Sequence, residues 1–65
     1  MGKIKILSDC SGTYKIGSVV KLYDFIDDYS KRQWDGQWRF YLSRIPMVDA
    51  AEIIAKELGI DYKFV

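Results

Sequence analysis

Histidine is absent from this 65-residue chain. The commonest general base and the commonest zinc ligand are therefore missing. Cysteine is nearly missing too, because Cys10 stands alone. No internal disulfide can form, no Cys–His nucleophile pair can be assembled, and a thiolate zinc site would need several chains. Small secreted domains usually depend on disulfide staples, so the expected location is reducing and cytoplasmic. A charge excess is also lacking: ten Lys and Arg face nine Asp and Glu, for a formal net charge of +1. Domains built mainly to neutralise phosphates usually show a strong basic excess.

Long apolar runs are absent as well. The longest are two or three residues, such as Ile53-Ile54-Ala55, far below the roughly 20 that cross a bilayer, so no membrane partner is expected. Met1 to Ile6 carries no apolar leader stretch, and Ile6 stands where a myristoylation signal wants Ser or Thr. There is no repeat, no low-complexity tract and no Pro/Gly/Ser linker. Neither a glycine-rich phosphate loop nor a dinucleotide fingerprint occurs, and Ser11-Gly12 lacks the second glycine of a nucleophile elbow. The expectation is a protein that is not an enzyme, with no cofactor, no metal and no catalytic residue.

What the chain does have is 49% hydrophobic and 29% charged residues. That is the balance of a globular protein rather than a disordered one. The length fits one domain, 1–65. A chain this short buries only about 60% of the surface its unfolded form exposes, so its stability should be marginal.

Residues 3–7 alternate Lys-Ile-Lys-Ile-Leu, with Ile4 and Ile6 on one face and Lys3 and Lys5 on the other, the pattern of a half-buried strand. Ser8-Asp9-Cys10-Ser11-Gly12 is a turn cluster, and Cys10 reads as a plain turn residue. A short β-prone piece, 13–16, is broken by Gly17-Ser18. Residues 19–25, rich in β-branched and aromatic types, read as a second main strand. The polar stretch 26–35 reads as a loop closed by Asp35-Gly36. Residues 37–44 read as a third main strand, with Trp38, Phe40 and Leu42 facing inward and Arg39 and Tyr41 outward.

The spacing predicts a helix over 49–58. Asp49 fits an N-cap with Glu52 completing a capping box, and Val48 with Ile53 fits a hydrophobic staple. Ala51, Ile54, Ala55 and Leu58 make an apolar stripe, and Gly59 suits the left-handed residue beyond the helix end. Residues 60–65 alternate Tyr62 and Phe64 against Lys63 and Val65 and read as a last strand. The expected fold class is α+β: a small curved antiparallel sheet of four to five strands with one short helix near the C-terminus.

The run Tyr14-Lys15-Ile16-Gly17-Ser18-Val19-Val20-Lys21-Leu22 resembles the lead-in to the second strand of SH3-like small barrels. It implies a partly open barrel and carries no functional motif with it.

Asp24, Asp27 and Asp28 form one acidic cluster. Oxygen ligands of this type hold hard cations, and paired carboxylates can do acid–base work. The spacing matches no calcium loop, and a solvated acidic loop needs no ligand to explain it.

Aromatics make up 15% of the chain, more than so small a core can cover. The best candidate partner-binding site is 31–41, where Lys31, Arg32, Trp34, Arg39 and Tyr41 combine the types that dominate interface hot spots. Arg44 adds another planar donor nearby. The bland alternative is that Trp38, Phe40 and Leu42 are core and Trp34 only a lid over it.

Two functions of different class follow. The first is a small non-catalytic protein-binding module that docks on a larger protein or on itself, a homodimer included. Its neutral charge, surplus aromatics and thin core suit that reading. Its compact form resembles the accessory, regulatory or inhibitory proteins of bacteria and their phages. An exposed edge, either the first or the last strand, would be open to a partner strand, and Lys3, Lys5 and Lys63 would serve equally to prevent such pairing. The second is a small-barrel nucleic-acid-binding protein that stacks and neutralises through 31–41. Asp24, Asp27, Asp28 and Asp35 would cancel that basic patch unless folding moves them to another face.

Overall fold

The computed structural model describes residues 2–33, 35 and 45–65. Strand β1 spans Lys3–Asp9, β2 Val19–Lys21 and β3 Ile60–Phe64; helix α1 spans Leu22–Gln33 and α2 Met47–Leu58. The sheet order is β2-β1-β3 with both pairings antiparallel, so the first strand lies in the centre and the last at an edge. The class is mixed α+β. The expected four to five strands with a single C-terminal helix are corrected, among the described residues, to one three-stranded sheet and two helices.

Alternation sets β1. Ile4 and Ile6 are fully buried while Lys3, Lys5 and Leu7 are exposed, because successive side chains point to opposite faces. The core is Ile4 and Ile6 from β1, Leu22, Phe25 and Ile26 from α1, Ala50, Ala51, Ile54 and Ala55 from α2, and Ile60 from β3. Both helices therefore cover one face of the sheet. A register shift between Ile6 and Ser8 marks a bulge in β1, which lets Ser8 Oγ donate to Asp61 Oδ2 at 2.8 Å.

The expected second main strand, 19–25, stops after three residues. Leu22, Phe25, Ile26, Tyr29 and Ser30 recur at helical spacing, and burying that face on the sheet turns 22–33 into α1. The expected loop 26–35 is thus largely helix. The nine residues compared with an SH3-like barrel form a tight turn, the short β2 and the first residue of α1. In that turn Gly17 N–H donates to Ile6 O at 2.7 Å and Ile6 N–H to Ser18 O at 2.9 Å. Among the described residues the sheet is open and no barrel is formed.

Helix α2 begins two residues earlier than expected. Pro46, with φ −60° and ψ 151°, occupies the N-cap, no side chain caps the helix, and Ala50 N–H donates to Pro46 O at 3.0 Å. The capping box and the staple are corrected accordingly: Asp49 lies inside the first turn, Glu52 faces Lys56, and Ile53 is exposed. Asp49 still sits where the helix dipole favours an anion. Gly59 ends the helix at φ 69° and leads directly into β3. Residues 37–44, expected as a strand, lie outside the described residues.

Candidate functional site

Of the five expected site residues, Lys31 and Arg32 are described and Trp34, Arg39 and Tyr41 lie outside the described residues. Lys31 and Arg32 occupy the last turn of α1, where cations suit the negative end of the helix dipole. Each meets a carboxylate one turn earlier. Lys31 Nζ is 3.2 Å from Asp27 Oδ2, and Arg32 Nη2 is 3.9 Å from Asp28 Oδ2. Arg32 Nε also donates to the Asp28 carbonyl at 3.4 Å. Such pairs add only a few tenths of a kcal/mol each to a helix, but they leave this end of the site electrically balanced.

A shallow groove of about 250 Å³ runs beside these pairs, lined by Tyr14, Val20, Asp24, Asp27, Asp28 and Lys31. Tyr14 defines its wall. Its ring packs on Phe25 at 5.4 Å between centroids, and its hydroxyl donates to Asp28 Oδ2 at 3.0 Å. Burial, and then the bond to Asp28 and its negative charge, push the Tyr14 phenol well above its usual ionisation. Asp27 and Asp28 of the acidic cluster are thus engaged in cation and hydroxyl contacts. Among the described residues no group of three His, Cys, Asp or Glu side chains is placed to hold a metal ion. Cys10 is an exposed free thiol in the turn after β1, beside Gly59 and not among the residues that line the groove.

A second surface emerges on the sheet face opposite the helices. Strand pairing sets Lys3 across from Lys21, and Lys5 across from Lys63 on one side and Val19 on the other. Val65 N–H donates to Lys3 O at 3.0 Å, extending that register. Leu7, Val19 and Val65 are 47%, 51% and 45% exposed on the same face, so aliphatic surface lies between the ammonium groups. Asp61 is the one carboxylate side chain there among the described residues, and it accepts the Ser8 hydroxyl. The helical layer has the opposite balance: Asp24, Asp27, Asp28, Asp49, Glu52 and Glu57 against Lys31, Arg32 and Lys56. Among the described residues, charge is therefore segregated, positive on this sheet face and negative on the helices.

Lys3, Lys5 and Lys63 were visible in the sequence as guards of exposed edges. Strand order changes their meaning: β1 is central, so Lys3 and Lys5 guard no edge. Comparison of the chain with protein-family models, with curated proteins and with solved structures finds no match.

Proposed function

We propose that this chain is a small non-catalytic protein-binding module of the accessory, regulatory or inhibitory kind, docking on a larger protein or on a second copy of itself. The observation that carries this reading is the pairing of Lys31 with Asp27 and of Arg32 with Asp28. Lys31 and Arg32, the cations of 31–41 among the described residues, are each paired with a carboxylate of their own helix. A protein interface needs no such excess of charge, whereas nucleic-acid binding draws most of its affinity from it. The same carboxylates count against the alternative of nucleic-acid binding at the Lys31 and Arg32 end of 31–41. A thin, one-sided sheet in a short chain also gains stability from a bound partner. A cytoplasmic location goes with this reading, supported by the lone Cys10; among the described residues no helix is long and apolar enough to cross a membrane.

The test is affinity capture of the tagged chain from lysate of its source cell, with and without nuclease. Recovery of the same protein in both samples, reduced by Trp34→Ala or Tyr41→Ala, supports the proposal. Loss of all bound material on nuclease treatment overturns it.

A further inference from the structure

We infer that the open face of the sheet is a docking surface for an acidic protein segment that carries aliphatic side chains between its carboxylates. This deepens the protein-binding reading and rests on it.

Charge arrangement comes first. Lys3 opposes Lys21 and Lys5 opposes Lys63 across directly paired strands. Like charges set opposite one another destabilise a sheet, and a short chain has little stability to spare. Protection of edges explains Lys21 on β2 and Lys63 on β3 but not the two lysines of the central strand. Solubility of an open face would be met as well by mixed signs, yet among the described residues only Asp61 interrupts the lysines. The three ion pairs among the described residues all lie on the helices. The lysines of this face thus stand at paired strand positions with no carboxylate in ion-pair reach among the described residues. A negative partner surface relieves that repulsion, and complementarity of this kind steers association and fixes register.

The aliphatic residues then separate protein from nucleic acid. Leu7, Val19 and Val65 lie beside the lysines, about half exposed. Phosphates offer such side chains nothing to pack against. Stacking of bases needs aromatic or arginine planes, and among the described residues this face presents neither; Tyr62 and Phe64 lie on the opposite side, packed against the core. An acidic segment with leucine-like residues matches both the charge and the apolar area.

The experiment uses the full chain and two probes of equal negative charge: a synthetic amphipathic peptide of alternating glutamate-rich and leucine positions, and a single-stranded DNA oligonucleotide. Fluorescence anisotropy should show peptide binding that weakens as salt is raised and is tighter than DNA binding. Lys5→Glu should weaken the peptide by about tenfold or more, Leu7→Ser by about threefold, and Lys56→Glu on α2 by less than about twofold. Thermal melting of Lys5→Glu controls for folding, and Lys5→Gln replaces it if the charge reversal fails to fold. Equal loss with Lys56→Glu, unchanged affinity with Lys5→Glu, tighter DNA binding, or no peptide binding each overturns the inference. The same variants in lysate capture separate the two levels. A protein recovered after nuclease treatment by Lys5→Glu as well as by the parent refutes this face and leaves the protein-binding reading intact; loss of all material to nuclease refutes that reading itself.

Discussion

Lys5, on the central strand, stands directly opposite Lys63 on the edge strand β3. Opposed like charges cost roughly 0.2–1 kcal/mol relative to a neutral pair. Lys5→Glu replaces that repulsion with an attractive pair. The expected result is a melting temperature raised by a few degrees at low ionic strength, with the gain shrinking as salt screens it. A lowered melting temperature would mean that the lysines are not in tension.

Tyr14 supplies a pH-dependent contact. Its phenol ionises later than the usual 10.0 because it is partly buried and donates to Asp28. A folded-state value raised above the unfolded one gives stability that is present below the usual value and lost as pH rises through the folded one. Spectrophotometric titration should therefore show a late-ionising tyrosine that is missing in Tyr14→Phe. The same substitution keeps the ring contact with Phe25 and should cost about 0.5–1 kcal/mol near neutral pH.

Asp9 orders the turn after β1. Its Oδ1 accepts from Ser11 N–H at 2.8 Å and its Oδ2 from Tyr14 N–H at 2.6 Å. Burial pushes its carboxyl up, but the hydrogen bonds donated by Ser11 and Tyr14 outweigh that and hold it below the usual 3.8. For a depressed acid the stabilisation is present above the usual value and disappears as pH falls through the folded one. Acid titration of stability should thus show a steeper decline for the parent chain than for Asp9→Ala; identical slopes would contradict this.

Gly59 ends α2 in the left-handed region at φ 69°. A side chain there would meet Cys10 Cβ at 3.5 Å, an ordinary contact, so the penalty is conformational rather than steric. Gly59→Ala should destabilise by about 1–2 kcal/mol, and Gly59→Asn by less, in urea unfolding.

Local patterns were readable where one rule acted alone. The Lys-Ile-Lys-Ile alternation of β1, the glycine beyond α2 and the Tyr62/Phe64 face of β3 are each set by side-chain period or backbone freedom. Residues 22–33 misled because Leu22, Phe25, Ile26 and Tyr29 carry two signals. Their composition with Val19 and Val20 favours a strand, while their spacing favours a helix, and packing on the sheet decides for the spacing. The start of α2 was missed because Pro46, whose φ is already set for a helix, serves as the cap in place of Asp49. The pairing of Lys31 and Arg32 with Asp27 and Asp28 was hidden behind the same error, since in a loop they would not be neighbours. The lysine face was out of reach for a different reason: it depends on strand order and register, which link residue 3 to 21 and 5 to 63.

The most direct measurement is lysine-reactive labelling of the chain in its captured, nuclease-treated complex, read residue by residue by mass spectrometry against the free chain. Docking on the open sheet face predicts protection of Lys3, Lys5, Lys21 and Lys63, with Lys56 on the helical layer still reactive. Protection confined to the helical layer, or labelling unchanged at all four sheet lysines, would contradict it.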